Sequence, residues 1–132
     1  MKYLLDTNIC IYVIKKQPTK VIEKIQSVPI EDICISTITL AELEHGAAKS
    51  THRERNRLAL LEFLTPFRIL DFDQAAAQHY GHIRSDLESR GIVIGPMNLL
   101  IAAHAQSKDL TLVTNNTREF KRIKDLGLEN WV

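Results

Sequence analysis

Short apolar runs of three or four residues alternate along this chain with longer stretches in which apolar positions recur at helical spacing. The first run, Tyr3-Leu4-Leu5, stops at Asp6. Thr7 and Asn8 follow, both helix-capping types, so Ile9 to Ile14 is expected to form a short buried helix. Pro18 interrupts it, and Val21 to Ile25 begins a second helix. Ile33-Cys34-Ile35-Ser36 reads as the second strand, followed by a helix through Leu40, Ala41, Leu43 and Ala47. A further helix covers about Arg53 to Leu64 and ends before Pro66. Arg68-Ile69-Leu70 is the third strand. Asp73 is placed to cap a long helix from about Gln74 to Arg90, which Gly91 ends.

The stretch Leu99 to Ala105 is apolar nearly all round, which predicts a central helix, and Pro96 suits its first turn. Leu110-Thr111-Leu112-Val113 is the fourth strand, ending at Thr114-Asn115-Asn116. A short helix from Thr117 to Arg122 follows, and Leu128 to Trp131 is expected to add an edge strand. Strands alternating with helices predict an α/β fold: a central parallel sheet of four to five strands flanked by helices. With no repeat, low-complexity tract or linker, residues 1–132 read as one domain.

Composition narrows the classes. The apolar share is 45% and the charged share 25%, an ordinary globular balance that argues against disorder. A net charge of +1 disfavours a dedicated nonspecific nucleic-acid binder, but leaves room for local basic patches or an acidic partner. Cys10 and Cys34 each sit between isoleucines, as buried free thiols do, and no Cys/His pattern suggests zinc. Free thiols fit a reducing cytoplasm. No apolar run is long enough to span a membrane, and the one at the N-terminus is too short for a signal peptide.

In open α/β sheets ligands bind beyond the carboxyl ends of the strands. Strand one delivers Asp6 there. Strand two ends at Ser36, with Glu42 one to two turns into the next helix. Strand four ends at Thr114, with Asn116 and Glu119 just beyond, and Asn98 opens the central helix. Each has a plainer reading alone: Asp6, Asn98 and Asn116 as caps or turn residues, Glu42 and Glu119 as solvated helix residues. Together they bring oxygen donors from four segments to one edge. Magnesium and manganese prefer such donors, and clustered carboxylates repel unless a cation or proton is shared.

These residues also resemble a known family. Leu4-Leu5-Asp6-Thr7-Asn8 is similar to the opening motif of PIN domains. Ser36 to Leu43, with Gly46, resembles their second acidic motif. Ile94 to Ala102 resembles the third and Val113 to Phe120 the fourth. The match covers nearly the whole chain and is greatest to the VapC ribonuclease toxins of type II toxin–antitoxin systems, especially the enteric ones, down to Trp131. The resemblance implies a PIN-like fold and Mg²⁺- or Mn²⁺-dependent endoribonuclease activity. A tRNA is the expected substrate, with the initiator tRNA anticodon loop as leading candidate. It further implies a VapB-type antitoxin that occludes the site, a toxin homodimer, and a complex that binds operator DNA through the antitoxin.

Carried onto this chain, the resemblance makes Asp6 the central metal ligand and Glu42 a second. Asn116 and Glu119 bind at the rim, and Thr7, Asn8 and Thr114 orient ligands or phosphate. Lys15, Lys16, Arg84, Lys121, Arg122 and Lys124 are candidates for RNA phosphate contacts, each equally readable as a solvated charge. One position departs from the pattern. The third motif normally carries aspartate where this chain has Asn98, a neutral and poorer ligand for a hard cation. The chain as it stands is therefore expected to bind Mg²⁺ weakly and cleave poorly. The alternative is a catalytically silent antitoxin-binding, regulatory subunit. A phosphotransferase using Asp6 as nucleophile is disfavoured, because its usual Asp-x-Asp loop would need a second acid where Asn8 stands.

Overall fold

The computed structural model describes residues 1–132. Five parallel strands form the sheet: β1 (Tyr3–Leu5), β2 (Ile33–Ser36), β3 (Arg68–Leu70), β4 (Thr111–Val113) and β5 (Leu128–Glu129). Their order is β3-β2-β1-β4-β5, with β1 central. Seven helices connect them: α1 (Thr7–Lys15), α2 (Thr19–Ser27), α3 (Thr37–Ala48), α4 (Arg53–Leu64), α5 (Gln74–Ser89), α6 (Pro96–Ser107) and α7 (Thr117–Phe120). The expected PIN-like α/β architecture is present. No helix is long and apolar enough to cross a membrane.

Alternation along the strands sorts the core into two layers, because successive side chains point to opposite faces. Leu4, Cys34 and Leu112 pack with Ile83 and Leu87 of α5 and with α6. Leu5, Ile33, Ile35 and Val113 face the other way, against Ile9, Cys10, Val21, Leu43 and Leu60 from α1 to α4. The chain thus winds first along one face, through α1–α4, to β3. It then crosses the other face by α5 and α6 and returns to the far side of β1. Strand order reverses between β1 and β4, and that reversal opens a crevice at their carboxyl ends.

Among the boundaries that differ from expectation, three turn on particular side chains. Asp6 itself caps α1, its side chain accepting from the Ile9 N–H, so Thr7 is the first helical residue rather than the cap. α7 ends at Phe120 rather than Arg122, because Phe120 is fully buried and anchors the turn. β5 stops at Glu129 rather than Trp131: the indole turns into the core edge-on to Tyr3 at 5.0 Å and donates to the Glu129 carboxylate. Gly91, just past α5, adopts φ +68°, a left-handed conformation that favours glycine there. Both cysteines are buried and free.

The layered core predicts unequal costs. Leu112→Ala, at a fully buried residue of the strand beside β1, should lower stability by about 2–5 kcal/mol. Val93→Ser, at a residue 86% exposed, should stay within about 0.5 kcal/mol of the parent. Denaturant midpoints measured for the two variants check this.

Candidate active site

The crevice between β1 and β4 is lined by two sets of polar contacts, one running from Asp6 through Thr114 and Asn116 to Glu119 and Asn98, the other joining Thr7 to Glu42. Asp6, only 4% exposed, sits at its floor. Its Oδ1 accepts the Ile9 N–H at 2.9 Å and its Oδ2 accepts the Thr114 hydroxyl. Its own N–H donates to the Val113 carbonyl at 3.0 Å, tying the ends of the two strands together. Each carboxylate oxygen has two lone pairs, so both Asp6 oxygens retain acceptor capacity.

Glu42 reaches the same place from α3. The Thr7 hydroxyl donates to its Oε1 at 2.5 Å, so Glu42 is held beside Asp6 rather than left in solvent. Burial raises the Asp6 pKa above the usual carboxylate value, and the Glu42 charge raises it further, against the lowering hydrogen bonds from Thr114 and Ile9.

On the other wall, Thr114 Oγ1 accepts the Asn116 N–H at 2.9 Å. The Asn116 amide donates to Glu119 Oε2 at 2.8 Å, and the Asn98 amide makes a longer 3.5 Å contact to the same oxygen. Glu119 Oε1 accepts the Gly95 N–H at 3.0 Å. Burial pushes the Glu119 carboxyl upward, but these donors together hold it below its ordinary value. Asn98 is therefore not the cap of α6. It lies in the first turn, after Pro96, and its amide meets a carboxylate. Asn116 precedes α7 without capping it by its side chain, which is committed to Glu119.

The structure thus brings Asp6, Thr7, Glu42, Asn98, Thr114, Asn116 and Glu119 to one crevice. Asn8 is at its exposed rim. No three acidic or imidazole side chains gather closely enough to hold a metal by themselves. The donor set is one of oxygens, and the neighbouring Glu42 makes the buried Asp6 harder to ionise. That chemistry fits a hydrated hard cation, which keeps several waters and takes one or two carboxylates. It does not fit a closed protein cage.

The basic candidates divide. Arg84 is taken by Glu88 and the Tyr80 hydroxyl, and Lys124 lies 3.5 Å from Asp86. Arg122 donates to the main-chain carbonyls of Glu119 and Val93, both at 3.3 Å, and so holds the loop that carries Gly95. Lys15, Lys16 and Lys121 are exposed and make no ion pair. Lys15 shares with Glu42 a groove of about 390 Å³, walled by Ile11, Ile14, Leu43 and Leu60. Sequence reasoning passed over Arg118, which lines a second recess with Asn116, Glu119 and Arg122. Its place between Asn116 and Glu119 in the chain was the available signal.

Comparison with known proteins places this geometry. The PIN domain family matches residues 3–126. Ribonuclease VapC2 of Rickettsia felis is 46% identical over 132 residues, covering 99% of this chain and 98% of that protein. The tRNA(fMet)-specific endonuclease VapC of Shigella flexneri is 46% identical over 131 residues, with the same coverages. Among solved structures, VapBC2 from Rickettsia felis bound to a promoter DNA fragment is similar with a TM-score of 0.94 and 44% identity, covering all of both chains. DNA-bound VapBC from Salmonella typhimurium gives 0.95 and 43%, covering 100% of this chain and 99% of that one.

The raised Asp6 pKa has a stability consequence of definite sign. An acid whose folded pKa lies above its unfolded value destabilises the fold once ionised; that penalty is present above the folded pKa and fades as pH falls toward the unfolded one. Asp6→Asn should therefore raise the melting temperature by a few degrees at neutral pH in chelator, and the gain should shrink toward pH about 4. Melting curves of parent and variant across that range decide it; a pH-independent difference contradicts the account.

Proposed function

Since the chain belongs to the PIN-domain family, with VapC ribonucleases among its relatives, we propose that it is the ribonuclease toxin of a two-component toxin–antitoxin pair and that its substrate is a tRNA. The observation that carries this reading is the buried Asp6 carboxylate at the reversal of the sheet, with Glu42 beside it and acceptor capacity left on both oxygens. A Mg²⁺ or Mn²⁺ ion, when bound, supplies charge neutralisation at the scissile phosphate and an acidified water. Asp6 and Glu42 are the residues that would hold it, with position 98 completing the set.

The remaining residues prepare that set. Thr114 keeps Oδ2 of Asp6 aimed along the crevice, and Thr7 keeps Glu42 from turning to solvent. Asn116 and the Gly95 N–H fix Glu119 at the rim. Phosphate oxygens accept hydrogen bonds and positive charge, so Lys15, Lys16 and Lys121, free of ion pairs, are the better candidates for RNA contacts, and Arg118 joins them. Arg84, Arg122 and Lys124 act inside the protein first. The relative in Shigella flexneri is named for tRNA(fMet), which supports the initiator tRNA as substrate and its anticodon loop as the first place to look.

An antitoxin of VapB type is the proposed partner, since both solved structures described above are VapBC complexes bound to DNA. The apolar groove running up to Glu42 is a surface on which a partner segment would deny RNA the carboxylates. We place the protein in the cytoplasm, as a homodimer within a complex that reaches operator DNA through the antitoxin. Two free buried thiols fit that compartment.

Asn98 sets the level of activity. Its amide donates to Glu119, so the neutral residue suits the metal-free crevice; an aspartate there would face a like charge unless a cation were shared. Asn98→Asp should cleave tRNA at least about 100-fold faster than the parent in Mn²⁺, and should melt lower than the parent in chelator. Asp6→Ala in the same background should be inactive. Equal, robust cleavage by parent and Asn98→Asp would remove position 98 from the account.

The same Asn98 contact favours a second reading, a catalytically silent regulatory subunit. Growth on expression without antitoxin separates the two. Arrest that disappears in Asp6→Ala rejects the silent subunit, whereas unimpaired growth with the parent chain and arrest with Asn98→Asp supports it.

A further inference from the structure

One buried polar pair lies outside the crevice yet joins two of the helices that build it. His104, on α6, is 0% exposed, and so is Ser36 at the end of β2. His104 Nδ1 lies 2.7 Å from Ser36 Oγ. The same oxygen accepts the Ile38 N–H at 3.0 Å and so caps α3. α3 carries Glu42 and α6 carries Asn98. α6 packs chiefly on α5, and this bond joins it to the start of α3 beside the apolar contact of Ile38.

The hydrogen-bond partners favour one direction for the bond. The Ser36 hydroxyl has one proton to donate, and His104 Nδ1 is its only acceptor. We assign Ser36 as the donor, with the proton of the neutral ring on Nε2. That nitrogen faces the Asp71 main chain, and Phe72 stands edge-on to the ring at 5.5 Å. Burial lowers the imidazole pKa, with Asp73 opposing and Lys108 assisting, which agrees with a neutral ring. A buried imidazole must have its nitrogens bonded to offset their desolvation, a cost that an apolar side chain of similar size would avoid. Packing alone thus gives a poor reason for histidine here, whereas the bond to Ser36 gives a specific one.

We propose that His104 is a positioning residue for the crevice: by accepting the Ser36 hydroxyl it locks the first turn of α3 to α6 and sets Glu42 against position 98. Its kinetic consequence rests on the nuclease reading and its effect on cation affinity on the cation site proposed above; the bond itself rests on neither.

The test uses Ser36→Ala, His104→Leu, the Ser36→Ala/His104→Leu double variant and His104→Asn, whose amide oxygen replaces the Nδ1 acceptor. All are made in the Asn98→Asp background. Each loss of the bond should weaken Mn²⁺ binding by roughly tenfold and lower kcat for RNA by roughly tenfold, with KM within about threefold. The double variant should lose no more than the worse single one, and His104→Asn should recover to within about threefold of its parent. Nitrogen-15 NMR of the imidazole in the unsubstituted chain should show a proton on Nε2 alone. If His104→Leu fails to fold, Ser36→Ala and His104→Asn carry the test. Unchanged Mn²⁺ affinity in Ser36→Ala, losses that multiply in the double variant, or a proton on Nδ1 would each overturn the proposal. Weakened Mn²⁺ binding without RNA cleavage in any variant would uphold it and overturn the nuclease reading instead.

Discussion

A single buried carboxylate constrains this molecule. Asp6 is at once the last residue before α1, the cap of that helix and the floor of the crevice. Its hydrogen bonds, to Ile9, Cys10, Thr114 and the Val113 carbonyl, join β1 to α1 and to β4. Burying a charged group is costly unless it is hydrogen-bonded or shares a cation. Here the hydrogen bonds offset only part of that cost, and Glu42 adds to it. The fold keeps an unfavourable charge at the one place where strand order reverses, and that is where a ligand belongs.

Much of this was legible along the chain, because strand ends, proline breaks and the apolar character of α6 are local signals. All five strands were located from short apolar runs, and the parallel sheet followed from their alternation with helices. The either-or posed for Asp6 between cap and ligand dissolved: capping occupies one lone pair on one oxygen, so the two roles are compatible. What stayed illegible was partnership over long separations. Nothing in the sequence says that Glu119 receives the Gly95 N–H, that Arg122 turns inward to main-chain carbonyls, or that His104 meets Ser36. These contacts depend on the crossover from β3 to β4, which brings distant segments into register. The strand expected to reach Trp131 failed for a similar reason, since the indole finds more burial against Tyr3 than along the sheet edge.

Asn98 shows how stability and chemistry pull apart at such a site. Its amide complements Glu119 and quiets one wall of the crevice, while the opposite wall keeps two acids together. An aspartate would reverse that local balance, making the empty crevice less comfortable and the loaded one more so. Active sites often trade stability in this way.

The central claim is that the Asp6–Glu42 wall is a divalent-cation site left incomplete at position 98. Calorimetric titration of Mn²⁺ into the parent, Asp6→Asn and Asn98→Asp tests it most directly. The account predicts weak binding to the parent, none to Asp6→Asn, and binding at least about tenfold tighter to Asn98→Asp. Equal affinity in all three would contradict it.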